Sequence, residues 1–353
     1  MFDMRNENMK EKFLKGMQIL REKGRALFQK CAGWFKKLLS AVKEKLGAAL
    51  RYNQMTALII LKWWYLAAAV LFVVLVLYYP VGALIIHKID VDPDFIGKDG
   101  GNVQAIDTMT ALLRRETGTN TFTPNKPFFH PSAVLDDMPA FQEGIVSGVK
   151  NAAEAFQQIN PNSESLKNAA ERLAYPADVW HVSKWKPAVS SVKKYNKART
   201  ELEKYQKDVA EGKDAFDRSP DALAAVIERL EQEIENGAET LGEQISDASG
   251  KMVDTAADDV FFRVKGQTYV YFLVLRDLKK DFGAAFEREE FERDWINALE
   301  LLRKAFGPKP FFVINGKIDA PTIPNHLVAA GFRLSRAAAR LRNMLSDLRA
   351  EHE

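Results

Sequence analysis

Two acidic pairs, Asp136-Asp137 and Asp258-Asp259, have the residue types best suited to acid–base chemistry in this chain. Carboxyls held side by side cannot both ionise freely, so one can give a proton while the other takes one. Neighbouring residues on a helix point about 100° apart, so each pair alone reads as a helix cap plus a surface residue. Chemistry requires the two pairs to converge in the fold. The catalytic candidates are Asp136, Asp137, Asp258 and His326. The other histidines, His87, His130, His181 and His352, pair neither with one another nor with cysteine at metal-ligand spacing. Asp90-x-Asp92-x-Asp94 has the alternation of a calcium loop, but it lacks the glycine and terminal glutamate, and Pro93 intervenes. No Gly-rich phosphate loop, Gly-x-Ser-x-Gly elbow or His-Glu-x-x-His motif is present, so the sequence implies no cofactor, no metal and no named reaction.

The element on which these residues hang is Trp63–Ile86, WWYLAAAVLFVVLVLYYPVGALII, which contains no charged residue. As a helix its 24 residues span roughly 36 Å, enough for the roughly 30 Å apolar core of a bilayer. Residues 58–86 are therefore expected to form a transmembrane helix. Lys62, Trp63, Trp64 and Tyr65 at one end and Tyr78 and Tyr79 at the other are its expected membrane anchors. Residues 1–62 hold 14 Lys/Arg against 5 Asp/Glu, and the rest holds 36 against 42. The positive-inside rule then puts the N-terminus in the cytoplasm and the 267 residues after Ile86 across the membrane. The long basic lead and apolar run fit an uncleaved signal anchor better than a cleaved peptide. One cysteine, Cys31, precedes the span, so the exported part uses no disulfides, which suits a bacterial periplasm beyond an inner membrane.

Residues 1–57 are read as a basic, amphipathic, helical arm. Phe13, Met17, Leu20, Gly24, Leu27, Cys31, Trp34, Leu38 and Ala41 recur in steps of three and four, with lysines and arginines on the other faces. Such a seam suits the membrane surface first and a partner helix or self-association second. The charge is met more simply by phospholipid than by nucleic acid, which is not expected as a partner.

The expected fold class is mainly α: amphipathic helix, one transmembrane helix, then an all-α helical-bundle periplasmic domain over 102–353. Residues 87–101 read as a polar, solvated linker. Thr121–Pro131 packs three prolines and three phenylalanines into eleven residues, which excludes helix and suggests a loop pinned to the core. Asp136-Asp137-Met138-Pro139 opens the next helix, with the first aspartate as cap. Residues 188–250 form two charged helical runs about Ser219-Pro220-Asp221 and are expected to project as an antiparallel hairpin. Tyr269–Leu275 is apolar all round and marks a central helix. Asn315-Gly316 within Phe311–Ile318 signals one small β-hairpin.

Asn125-Lys126-Pro127-Phe128-Phe129-His130-Pro131, followed by Leu135-Asp136-Asp137-Met138-Pro139-Ala140-Phe141-Gln142-Glu143-Gly144, resembles the signature of a bacterial family of unknown function, DUF2333. Asp258–Phe262, Asn325-His326-Leu327 and Ser335-Arg336-Ala337 resemble further blocks of that family, and the resemblance covers roughly residues 65–348. It implies a bacterial inner-membrane protein with one N-terminal membrane helix and a largely helical remainder. It implies no activity. The first functional expectation is a scaffold or assembly subunit of a cell-envelope complex, with protein partners or self-association through the arm and the 188–250 hairpin and the phospholipid bilayer as a further partner. The alternatives are a membrane-anchored periplasmic hydrolase and a lipid or apolar-ligand binder.

Overall fold

The computed structural model describes residues 33, 36–44, 54–97, 101–183, 186–247, 255–286, 289–308, 310, 313 and 325–350. Helix accounts for 78% of the structure and strand for 1%, which makes the class mainly α. The chain divides into two units, Met1–Pro80 and Val81–Glu353.

In the first unit, residues 36–44 are helical (α1), and α2, Gln54–Ile86, runs out of the unit through Pro80. Its stretch Leu58–Ile86, 29 residues of mean hydropathy 2.6, is long and apolar enough to cross a membrane. Only 6% of its most apolar window is buried, whereas the core helix of a soluble protein is covered on most sides.

The second unit is built on two helices, α4 (Asp137–Ile159) and α8 (Thr255–Asp281). Arg263 Nη2 bonds Glu143 Oε2 at 3.0 Å, Gln267 Nε2 bonds Ser147 Oγ at 3.0 Å, and Asn151 Nδ2 bonds the Tyr271 hydroxyl at 2.8 Å. Each partner advances four residues on both helices, so α4 and α8 run parallel at a constant register. They approach closely enough that a Cβ on Gly144 would meet the Arg263 carbonyl, and one on Gly266 the Phe141 carbonyl. Tyr269–Leu275 is buried on every side, as its all-round apolar pattern requires.

The other helices cover this pair. The third, α3 (Gln104–Arg114), packs on α8, and α5 (Glu164–Leu173) packs on α4. Next come α6 (Ser191–Ala210) and α7 (Pro220–Asp247), and α9 (Glu289–Phe306) and α10 (His326–Ala350) close the unit. The expectation of a projecting 188–250 hairpin is corrected here. Tyr195, Ala198, Leu202 and Tyr205 bury α6 against α5 and α3, while Leu223, Ile227, Leu230 and Ile234 bury α7 against α10, α4 and α8. Each apolar stripe finds a larger apolar surface in the domain than its sequence neighbour offers.

The linker expectation is corrected too. Val91 is buried and Phe95 packs on the core. The carbonyls of Asp92, Pro93 and Phe95 accept from the Tyr269 hydroxyl at 2.7 Å and the Arg276 guanidinium at 2.7 and 2.8 Å. The chain after Ile86 thus climbs along α8, from Tyr269 to Asp281. Val182–Ser183 (β1) and Lys186–Pro187 (β2) pair antiparallel. The hairpin expected around Asn315-Gly316 lies outside the described residues.

Candidate functional site

The parallel register of α4 and α8 brings their N-terminal ends together. Asp136 precedes α4 and Asp137 opens it, while Asp258 and Asp259 lie at the start of α8. The four carboxylates converge, and each helix end contributes partial positive charge that makes their company tolerable. Asp136 stands at the cap position but makes no side-chain capping bond; its carboxyl lies close enough to Asp259 to act on that group's charge. Burial, reinforced by the charge of Asp136, pushes Asp259 up to about 6, opposed by Arg263. Burial likewise pushes Asp137 up to about 6, reinforced by Asp258, Asp136 and Asp259 and opposed by Lys265.

His326 joins this group from the first residue of α10. Burial lowers its pKa and the charge of Asp258 raises it. Its ring lies edge-on to Phe261, and Asn325 Oδ1 caps the helix by accepting from Val328 N at 3.0 Å. Asp258 Oδ1 accepts the Val313 amide at 2.9 Å. All four sequence candidates, Asp136, Asp137, Asp258 and His326, therefore lie at one end of the domain, with Asp136 exposed at the cap position of α4 and the other three partly buried. Asp137 and Asp259, both raised to about 6, are the members of this group that can exchange protons close to neutral pH. Among the described residues no three His, Cys, Asp or Glu side chains are placed to hold a metal ion.

Glu143, nearly two turns into α4, and Arg263, one turn beyond Asp259 on α8, extend the cluster along both helices. They open onto a shallow groove of about 280 Å³, also lined by Lys150, Tyr175 and Tyr195. A second cavity, beside Lys265, Phe261 and Leu334, measures about 10 Å³, room for no more than one water.

A separate buried polar network ties the loops to the helices. Glu116, in the π turn Arg115–Thr119, accepts from Arg115 Nε at 2.7 Å and Gln142 Nε2 at 3.0 Å. Gln142 Oε1 in turn accepts both the amide and the hydroxyl of Thr123 at 2.8 Å. Sequence spacing gives no sign of this network, because its members come from three segments. Every member is satisfied, so its role is structural.

The expected membrane anchors Lys62, Trp63, Trp64, Tyr65 and Tyr78 are exposed on α2, and Tyr79 is half-buried beside Tyr78. Of the expected arm seam, Leu38 is exposed on α1; Phe13, Met17, Leu20, Leu27 and Trp34 lie outside the described residues. No family model, curated protein or solved structure matches the chain.

Proposed function

We propose that this is a single-pass bacterial inner-membrane protein, with its basic arm in the cytoplasm and its helical-bundle domain in the periplasm, serving as a structural or assembly subunit of a cell-envelope complex. The observation that carries this reading is a long, exposed, apolar helix, Leu58–Ile86, followed by a helical domain. The charge asymmetry, net +9 before Trp63 and net −6 after Lys62, supports the orientation. The resemblance to DUF2333 supports the bacterial origin.

A second reading, a membrane-anchored hydrolase, is favoured by the placing of Asp136, Asp137, Asp258, Asp259 and His326 at one end of the domain, although neither cavity described above is lined by any of them. The lipid-binding alternative needs an enclosed apolar chamber, which neither of the two cavities described above, among the described residues, supplies.

Purification of the intact protein from native membranes, followed by native mass measurement, tests the proposal. The expected result is a particle well above the 39.8 kDa chain, with stoichiometric partners or additional copies. A single chain carrying only lipid or detergent would overturn the assembly reading and leave the carboxylate chemistry as the better account.

A further inference from the structure

Among the described residues, a group of exposed aromatic side chains stands on two adjacent loops of the domain. Among the described residues outside α2, Phe128 is the most exposed large apolar side chain, at 83%, with Phe129 at 52%, Val134 at 58% and Trp180 at 37%. Phe128, Phe129 and Trp180 form an edge-to-face ridge, with ring centroids 5.5 and 5.8 Å apart. The expectation that this loop is pinned to the core holds for Phe122, which is buried, and fails for these two phenylalanines. Nor is the ridge loose. Asn125 Nδ2 donates to Ser190 Oγ at 3.1 Å and to the Val179 carbonyl at 3.4 Å, which ties the two aromatic loops together. The His130 amide donates to the Pro127 carbonyl at 2.9 Å, and the Ser132 amide to His130 Nδ1 at 3.3 Å. A contiguous apolar ridge held out rigidly marks an interaction surface.

Its position says what it meets. Residues 81–86, the last turns of α2, belong to the same unit as the aromatic loops. Pro131, three residues after Phe128, seats on Gly82 so closely that a Cβ there would collide with the proline ring. The Lys88 amide donates to Met138 Sδ at 3.3 Å. Gly82 and Lys88 bracket Ile86, where the apolar span ends. The ridge is thus fastened beside the end of that span, with the cations Lys126 and Lys186 on the same two loops.

We propose that Phe128, Phe129 and Trp180 sit in the interfacial layer of the anionic phospholipid bilayer that α2 crosses, as a second foothold that lays the domain against the membrane. The inference rests on the reading of α2 as a membrane span. A bilayer is the occupant the observations favour. Aromatic rings prefer the headgroup boundary, lysines favour an anionic surface, and the tether supplies that surface permanently to the ridge.

The test uses the full chain with Cys31→Ser, reconstituted in nanodiscs of phosphatidylethanolamine and phosphatidylglycerol. A nitroxide label is placed in turn at Phe128→Cys, Val134→Cys, Leu71→Cys within α2, and Lys213→Cys in the turn between α6 and α7. Accessibility to oxygen and to a water-soluble nickel chelate is then compared. The expected result is a deep label at 71, labels at 128 and 134 that favour oxygen over nickel, and a label at 213 open to water. If 71 is deep while 128 and 134 are as open to nickel as 213, the foothold is overturned and the span stands. If 128 and 134 are shielded from both reagents, the ridge meets protein and the proposal fails. If 71 is open to water, the span itself fails and the foothold with it. Two label positions on separate exposed turns guard against one variant that disturbs the loop.

Discussion

The two ends of α8 carry aspartates under opposite regimes. At the C-terminal end, Asp281 accepts the amides of Gln104 and Ala105 at 2.6 and 3.0 Å, closing the start of α3. Asp277 accepts the Thr108 hydroxyl at 2.5 Å and pairs with Arg276 at 2.8 Å. At the N-terminal end, Asp258 and Asp259 face Asp136 and Asp137. Asp281 and Asp259 are both pushed up to about 6, and burial is the largest cause for each. The second-largest cause differs in sign. Backbone donors at Ala105 and Gln104 oppose the rise at Asp281, ahead of a smaller reinforcement by Asp277, whereas the charge of Asp136 comes next at Asp259 and reinforces the rise, ahead of Arg263, which opposes it. A raised pKa alone therefore does not mark a site; what distinguishes the N-terminal end is that the leading neighbour is a carboxyl and not a donor.

The register of α4 against α8 sets that neighbour, so disturbing it has the largest effect. Replacing a helical glycine by alanine ordinarily stabilises by about 1 kcal/mol. At Gly266 and Gly144 the sign should reverse, because the added methyl meets backbone, which cannot turn aside as a side chain does. Gly266→Ala is expected to cost about 1–3 kcal/mol, the usual range for overpacking. Thermal unfolding of the full chain in nanodiscs, followed by circular dichroism, checks this. An unchanged or raised midpoint would mean that the helices can part, and that the carboxylates are not held together by the crossing.

The C-terminal aspartate comes next. Asp281→Ala leaves two amides at the start of α3 without their acceptor in a buried place, and is expected to cost about 1–2 kcal/mol. Equal unfolding midpoints for wild type and variant would show that water replaces the carboxylate without loss, and would erase the contrast between the two ends of α8.

The N-terminal aspartates should respond in the opposite direction. The folded pKa of Asp137 and Asp259, about 6, lies above the unfolded value of about 3.9. The folded protein therefore binds more protons between these values, and the associated stability is present below pH ~4 and lost as pH rises through about 6. An amide never ionises and escapes that loss. Asp137→Asn and Asp259→Asn are each expected to stabilise by about 0.5–1 kcal/mol at pH 7.5, after allowance for the water that reaches these half-exposed groups. The gain should vanish at pH 4. Chemical denaturation at both pH values reads it, and a loss of stability at pH 7.5 would mean that these carboxylates have stronger partners than one another.

Much of this was legible in the sequence where the cause was local. The long apolar helix was readable from its uncharged run, the central helix from Tyr269–Leu275, and the start of α4 from Asp137 with Pro139. The catalytic candidates were readable by type only. Their convergence depends on a register set by Glu143, Ser147 and Asn151 against residues 120 positions away, and no local pattern encodes that. For the same reason α6 and α7 were misjudged: a stripe such as Tyr195, Ala198 and Leu202 shows that a helix buries a face, but not against which neighbour. The aromatic ridge failed differently. Phe122 and Phe128 are chemically alike and six residues apart, yet one is 2% and the other 83% exposed. The turn at Pro127–His130 separates them, and prolines do not announce which side of a turn faces the core.

The smallest predicted effect is the most specific. Asp136 is exposed, so Asp136→Asn should change stability by only a few tenths of a kcal/mol. Its consequence belongs to Asp259. Burial, the largest cause of that group's raised pKa, is untouched by the substitution, while the charge of Asp136 is removed. The Asp259 midpoint should therefore fall from about 6 but stay above the ordinary carboxylate range. Infrared titration of the protonated-carboxyl band, with Asp259→Asn as the assignment control, measures the shift. A midpoint that does not move would show that burial acts alone. A fall all the way to the ordinary range would make the pair itself, and not the crossing of α4 and α8, the origin of the shift. The intermediate result is the one that a pair of acids held by packing from behind, and open to water in front, must give.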